Sequence, residues 1–245
     1  MLQADYNIAP TRKVYAVLER DPKTGGETAS VEPVRLLKVV RWGLVPSWAK
    51  DISIGAKLNN ARSETAAEKP SFKRALARRR CLVPADGYYE WYTSEAKGPG
   101  TKPSKQPFYI HPADGSTMAM AGLYELWRNP EKADDDPDAW LWSMCVLTTS
   151  ATDEFGHIHD RMPMTVRKNE WASWLDPSLT DLGEAQALLH PLADVGLEAY
   201  PVTQAVNSVR NNGPELLTPL VFAESAPSAA DTEPSAGEQQ ELFPR

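Results

Sequence analysis

The sequence is poor in the residues that mark secreted, membrane-spanning and zinc-binding proteins. Its 245 residues include two cysteines, Cys81 and Cys145, and four histidines. No CxxC motif or Cys/His cluster is present, so neither a metal site nor another cofactor is predicted. No apolar run approaches a membrane span, and no basic stretch followed by an apolar one opens the chain. We therefore expect a cytoplasmic protein with no membrane contact and two free, buried thiols, with a disulfide between them as the alternative.

Positive charge is also scarce overall, since the formal net charge is −7. The acidic residues are concentrated in segments 130–138 and 221–245, each with a net charge of −4. Residues 57–80 carry eight basic side chains and two acidic ones. This local surplus is a better guide to partners than the total, and it indicates an anionic partner such as nucleic acid. The alternative is an ordinary solvated helix face.

Short apolar stretches separated by turn residues dominate the chain and predict strands. Residues 14–18 and 34–40 form a predicted hairpin. Residues 107–111 and 118–127 are predicted to pair around Asp114-Gly115. The most continuous apolar strand, 140–149, is predicted to be central in the sheet.

The predicted helices are few and segregated along the chain, at residues 70–78, 169–175 and 182–190. These proportions predict an α+β fold with a mainly antiparallel, curved or barrel-like sheet. We expect one domain over residues 1–222 and a disordered acidic tail over residues 223–245, where Ala, Ser, Pro and Glu dominate.

Three sequence strings supply the residue types of an acid–base site that also grips phosphate. They contain an amide, a carboxylate, an imidazole and two guanidinium groups. The strings are Leu58-Asn59-Asn60-Ala61-Arg62-Ser63-Glu64-Thr65, Ala85-Asp86-Gly87-Tyr88-Tyr89-Glu90-Trp91 and Ile158-His159-Asp160-Arg161-Met162-Pro163.

Glu90 and His159 are the candidates for proton transfer. Glu90 lies among aromatic residues, so burial should raise its pKa toward neutrality, as a general acid or base requires. The alternative is a structural carboxylate hydrogen-bonded within the sheet. His159 can move protons while Arg161 holds an anion; the alternatives are a surface histidine or, less favoured, a metal site shared with His157 if both lie on one strand.

Asn60, Thr148 and Trp42 are further candidates. Asn60 offers a donor and an acceptor to a substrate oxygen, although Asn commonly holds a turn through its own side chain. Thr148 ends the predicted central strand. Trp42 can stack on an unstacked base or pack in the core. A Ser-His-Asp hydrolase is disfavoured because the sequence contains no GxSxG motif.

These strings resemble the SOS response-associated peptidase family of abasic site processing proteins. Tyr6-Asn7-Ile8-Ala9-Pro10 and Trp42-Gly43-Leu44-Val45-Pro46-Ser47-Trp48 add to the resemblance, which runs from about Tyr6 to Leu220. It implies binding of single-stranded DNA at abasic sites in the nucleoid. It also implies removal of the initiator Met by a self-processing peptidase step and a covalent thiazolidine link between a cysteine at position 2 and the opened sugar.

The resemblance also implies roles for individual residues. Asn60 would orient the nucleophile and the sugar, and Glu90 would be the acid or base for ring opening and Met removal. His159 would move protons, and Thr148 would line the site.

Four further residues would hold the DNA. Arg62 and Arg161 would bind phosphates that flank the lesion, and Trp42 and Pro10 would pack against the distorted strand. Contacts to phosphate do not depend on the identity of a base, so they suit a lesion that has no base.

The sequence departs from the family at position 2, which is Leu2. Cys81 and Cys145 carry no free amine, so neither can close the same ring. We expect that the chain starts at an internal Met of a longer gene product, the alternative being a degenerate member. As written, it should bind DNA without crosslinking, which leaves its status as an enzyme open and makes a non-catalytic single-stranded-DNA-binding module the alternative function.

The tail holds a possible docking peptide. Gln239, Leu242 and Phe243 resemble the Q-x-x-L-F peptides that bind the bacterial sliding clamp, whereas Gln240 replaces the usual aliphatic residue. The alternative is a chance match in a short string.

Overall fold

The structure is a computed structural model that describes residues 1–21, 32–95, 102–152, 155–190 and 196–221. Its strands are β1 (Lys13–Arg20), β2 (Val34–Trp42), β3 (Asn60–Arg62), β4 (Arg80–Ala85), β5 (Tyr88–Thr93), β6 (Lys105–Pro112), β7 (Met118–Arg128), β8 (Trp140–Ser150), β9 (Arg161–Pro163) and β10 (Leu197–Pro201). Its α-helices are α1 (Ser63–Ala66), α2 (Pro70–Arg78), α3 (Trp171–Leu175) and α4 (Leu182–Ala187). Residues 223–245, the predicted disordered tail, lie outside the described ranges.

Five strands close into a barrel in the order β2-β1-β4-β7-β8, with β8 pairing back to β2. The β1–β2, β1–β4, β4–β7 and β7–β8 pairs are antiparallel, whereas β2 and β3 run parallel to β8. β8 also pairs with β9. The predicted α+β fold with a barrel-like sheet is thus confirmed, and so is the central position of strand 140–149.

A second, smaller sheet has the order β10-β6-β5 and is antiparallel. The predicted pairing of residues 107–111 with 118–127 is wrong, because β6 belongs to this sheet and β7 to the barrel. The turn at Asp114-Gly115 therefore connects two sheets rather than the arms of a hairpin. Periodicity marks both segments as strands but carries no information about which strand each one pairs with.

The helices cover the outer face of the barrel. Phe72, Ala75 and Leu76 of α2 are buried against Leu82 of β4 and Leu123 of β7, as their i, i+3, i+4 spacing predicts. Pro70 opens α2, where its missing N–H costs no hydrogen bond. Within the described ranges, no helix is long and apolar enough to cross a membrane.

The two cysteines are free and buried, as predicted. Cys81 of β4 pairs with Gly122 of β7, whereas Cys145 of β8 pairs with Leu123, the next residue of β7. The Cys81 side chain belongs to the inner core, the buried cluster inside the barrel that includes Val83 and Val146. The Cys145 side chain belongs to the outer core, the buried cluster under the helices that includes Leu76 and Leu123, so a disulfide would need the sheet to be rebuilt. Burial raises the pKa of both thiols, that of Cys145 to about 12.

Candidate active-site cleft

A cleft of about 1420 Å³ lies between the inner face of the barrel and the second sheet. Its walls include Val83, Met120 and Val146 of the barrel and Tyr88 of β5. All eight site residues predicted from the sequence line it, namely Pro10, Trp42, Asn60, Arg62, Glu90, Thr148, His159 and Arg161. Residues that are up to about 150 positions apart in sequence therefore share one concave surface, as a binding site requires.

The register of β8 explains why the first and third strings meet. Thr148 pairs with Arg62 on β3 and with Pro163 on β9. Because side chains alternate across a strand, Ala61 is buried in the outer core while its neighbours Asn60 and Arg62 line the cleft. β8, which carries Thr148, therefore lies between β3 of the first string and β9 of the third string.

Alternation also directs Glu90. Tyr89 and Trp91 pack on the outer side of the second sheet, in a cluster with Val202 and Val206. Glu90 therefore lies on the opposite face of β5, toward the barrel. Burial raises the pKa of Glu90, while the N–H of Trp91, 3.2 Å from Oε1, and the nearby His159 lower it in part. The predicted direction of this pKa shift is confirmed.

His159 is held by the backbone of its own loop. The N–H of Arg161 donates to His159 Nδ1 at 3.0 Å, and a carboxylate oxygen of Asp160 lies 3.2 Å from the same nitrogen. The carbonyl of Arg161 lies 3.3 Å from Nδ1 as well, so this nitrogen faces one donor and two acceptors. The idea that His157 and His159 share one face of a strand is wrong, because residues 155–158 form a turn. Within the described residues, no group of metal-binding side chains occurs.

Arg161 is held at the cleft wall by two residues, Glu64 and Thr148. It donates to both carboxylate oxygens of Glu64, at 2.6 and 2.9 Å, and to the carbonyl of Thr148 at 2.5 Å. The hydrogen bond from Arg161 lowers the pKa of Glu64. Arg62, in contrast, is exposed and makes no ion pair with any residue that the structure describes.

Much of the basic segment 57–80 faces away from the cleft. Lys73, Arg74 and Arg78 are exposed on α2, which covers the outer face of the barrel. Arg79 pairs with Glu125. Arg80 is buried and donates to five backbone carbonyls, those of Leu76, Ala77, Trp174, Asp176 and Leu179. Of the eight basic side chains in segment 57–80, all of them described, Arg62 is the one that lines the cleft.

The segment before β1 is pinned beside the cleft by contacts that the sequence analysis missed. The side-chain amide of Asn7 donates to three carbonyls, those of Val206, Ser208 and Asn211, at 3.1, 3.1 and 3.2 Å. Tyr6 N–H donates to Asn212 Oδ1 at 2.7 Å, and Tyr89 OH donates to the carbonyl of Tyr6 at 2.9 Å. The membership of Asn7 in the Tyr6–Pro10 string was the available signal, but its partners lie about 200 residues away in sequence.

The turn after Pro10 joins this segment to the barrel. Thr11 N–H donates to the carbonyl of Trp42 at 2.8 Å, and Thr11 has φ = 78°, an uncommon value for a β-branched residue. Trp42 donates its indole N–H to the backbone carbonyl of Asn59 at 2.9 Å, packs on the inner core and lines the cleft. Core packing of the ring is therefore confirmed, while stacking on an unstacked base stays a prediction.

Comparison with known proteins identifies the family. The sequence profile described as "SOS response associated peptidase (SRAP)" matches residues 1–209. The chain belongs to this family.

The relatives include proteins of bacteria and vertebrates. Abasic site processing protein YoqW of Bacillus subtilis is 39% identical over 212 residues, which is 86% of this chain and 84% of the relative. Abasic site processing protein HMCES of Xenopus tropicalis is 32% identical and covers 78% of this chain, although the match spans 59% of HMCES.

Solved structures support the fold. A protein from Bacteroides thetaiotaomicron superimposes with a TM-score of 0.61 at 28% identity, covering 76% of this chain and 77% of that one. A phage-related protein from Bordetella bronchiseptica gives a TM-score of 0.57, also at 28% identity, with 81% and 82% covered.

Proposed function

We propose that this protein binds single-stranded DNA at abasic sites and processes the lesion. The main support is that the acid–base group Glu90 and the guanidinium of Arg62 line the same cleft. Arg62 makes no ion pair with a carboxylate among the described residues. Curated relatives named abasic site processing proteins point to the same substrate. Such a role implies a location on the nucleoid.

The polar residues of the cleft suit chemistry at an opened sugar. The raised pKa of Glu90 suits proton donation or removal near neutral pH. His159, close enough to Glu90 to lower its pKa, can relay the proton. Asn60 is exposed and can orient the sugar, with Thr148 beside it in the cleft wall.

The DNA strand would follow the cationic edge of the cleft. Arg62 binds a flanking phosphate directly, and Arg161 binds another once its ion pair with Glu64 opens. Trp42 and Pro10 pack against the strand where the missing base leaves a gap. This combination of phosphate contacts and an aromatic surface is typical of single-stranded DNA binding.

Covalent capture needs a group that this chain lacks at position 2. A thiazolidine ring forms when the amine and thiol of one N-terminal cysteine add to an aldehyde and water leaves. Leu2 supplies no thiol, so the protein as written should hold abasic DNA without a covalent bond. A non-catalytic binding module is the alternative function, and self-processing as a peptidase rests on the family relationship.

Binding and chemistry can be tested separately. Arg62→Ala should weaken binding of abasic single-stranded DNA and reduce its salt dependence, measured by fluorescence anisotropy. Arg74→Ala removes the same charge from the outer face of the barrel and is the matched control. Equal losses in both variants would contradict a binding path through the cleft.

The chemical proposal has its own test. After incubation of the protein as written with abasic DNA, we expect no shifted band on a denaturing gel. A stable shifted band would refute the proposal that this chain does not crosslink. In a chain carrying a family-type Cys-containing N-terminus, Glu90→Gln should abolish crosslinking and retain binding. Retained crosslinking in that variant would contradict the acid–base role of Glu90.

Clamp binding through Gln239, Leu242 and Phe243 is a separate proposal, and these residues lie outside the described ranges. Full-length protein should bind a bacterial sliding clamp in surface plasmon resonance, and a Δ239–245 variant should not. Equal binding by the full-length protein and the Δ239–245 variant would contradict this proposal.

A further inference from the structure

Buried polar groups without a hydrogen-bond partner draw attention to a cleft residue that has so far been given no function. Among the described residues, three buried side-chain atoms have no hydrogen-bond partner in the protein: Arg41 Nη1, Tyr88 OH and Arg161 Nε. Tyr88 and Arg161 both line the cleft. A buried hydroxyl without a protein partner destabilises the free protein, and in a binding cleft a ligand can supply the missing partner.

Tyr88 lies on the same face of β5 as Glu90. The two residues are separated by one position, and Tyr89 between them points to the other side of the sheet. Tyr88 packs its ring against the inner core, which fixes the direction of the phenol. Burial, with the charge of Glu90, raises the pKa of Tyr88, so the hydroxyl remains protonated and available as a donor.

The lesion offers one atom that an intact nucleotide lacks. At an abasic site the C1′ carbon carries an oxygen, as a hemiacetal hydroxyl or an aldehyde, where a normal nucleotide carries a base. A donor beside the acid–base group Glu90 is therefore suited to recognise this oxygen. Contacts to phosphate cannot make the distinction, because every nucleotide has a phosphate.

We propose that Tyr88 is a specificity-determining residue whose hydroxyl donates a hydrogen bond to the C1′ oxygen of the abasic sugar. This inference rests on the proposed function and adds a residue to it. Tyr88 would thereby distinguish a natural abasic site from a sugar that carries no C1′ oxygen. Its hydroxyl gains a partner only in the complex, so its removal should affect binding and leave folding intact.

The experiment compares Tyr88→Phe with the unaltered protein on three single-stranded DNAs of one sequence. One carries a natural abasic site, one a tetrahydrofuran site without the C1′ oxygen, and one no lesion. Affinities come from anisotropy titrations, and thermal melts report folding. Tyr92→Phe, on the same strand but outside the cleft, is the matched control.

We expect the unaltered protein to prefer the natural abasic site over tetrahydrofuran and Tyr88→Phe to lose about three- to tenfold of that preference. Affinity for tetrahydrofuran DNA and the melting temperature should stay the same or rise. An unchanged preference in Tyr88→Phe overturns the inference, as does a lowered melting temperature with equal losses on all three DNAs. If the unaltered protein prefers abasic over intact DNA but does not distinguish the two lesions, the inference alone fails. If it shows no preference for abasic DNA, the proposed function fails as well.

Discussion

Replacing Glu64 with Gln tests how the cleft controls its second guanidinium. In the free protein the carboxylate of Glu64 occupies both Nη atoms of Arg161, at 2.6 and 2.9 Å, in the geometry that a phosphate would use. DNA must therefore displace Glu64 before Arg161 can hold a phosphate. The amide of Gln has no negative charge, so the substitution weakens this competitor while it preserves the shape of the side chain.

The expected gain follows from the exposure of the pair. The Glu64 side chain is 48% exposed, so solvent screens the attraction, and exposed pairs are worth about 0.2–1 kcal/mol. DNA must break this ion pair to reach Arg161, so removing the free-energy cost of breaking it should tighten single-stranded DNA binding by about 1.5- to 5-fold. Because Arg161 holds its phosphate in both complexes, the slope of log K against log salt should change by less than the value of one phosphate contact, about 0.7.

Anisotropy titrations over a range of salt concentrations measure both quantities. Glu68→Gln controls for general loss of negative charge, since Glu68 is exposed nearby and has no contact with Arg161. In an Arg161→Ala background the gain from Glu64→Gln should vanish, which a double-mutant cycle reveals. Weaker binding by Glu64→Gln would refute the reasoning and show that the carboxylate holds Arg161 in its binding geometry.

Two further predictions concern stability. Because burial raises the pKa of Glu90 in the folded state, its contribution to the free energy of unfolding is greatest below the unfolded pKa of about 4.5 and falls as pH rises through the folded pKa. Glu90→Gln should therefore be more stable than the unaltered protein at pH 7 and lose that advantage below pH 4.5 in urea titrations, whereas an equal difference at both pH values would contradict it. Arg80→Lys should lower the free energy of unfolding by about 2–4 kcal/mol, because an ammonium cannot reach all five carbonyls, with Arg78→Lys on the exposed face of α2 as the control. A loss within 0.5 kcal/mol, roughly the range of a surface substitution, would show that Arg80 is not a structural centre.

The candidate site could be assembled from sequence because its residues fall within short, distinctive strings. Asn60, Glu90 and His159 each belong to one of them, and the three line one cleft. The raised pKa of Glu90 was also predictable, since its aromatic neighbours lie next to it in the chain. Local patterns carry this information because alternation along a strand fixes the face on which each side chain lies.

Charge could not be interpreted in the same way. Arg62, Arg74 and Arg80 look equivalent in sequence, yet one lines the cleft, one faces solvent on the outer side and one is buried in the core. The position of α2 against the barrel separates them. Helix packing is decided by contacts with β4 and β7, which come from other parts of the chain.

Sequence by itself sufficed for the strands, the apolar face of α2 and the identity of the reactive side chains, because these depend on neighbours within a few positions. Strand partners were settled only in three dimensions, as β6 shows by joining β5 and β10 rather than β7. The same holds for Asn7, whose amide finds its carbonyls almost the whole chain length away, and for Tyr88, whose hydroxyl is orphaned only when the barrel closes over it. Pairing and burial are sums over distant contacts, and no stretch of local sequence contains them.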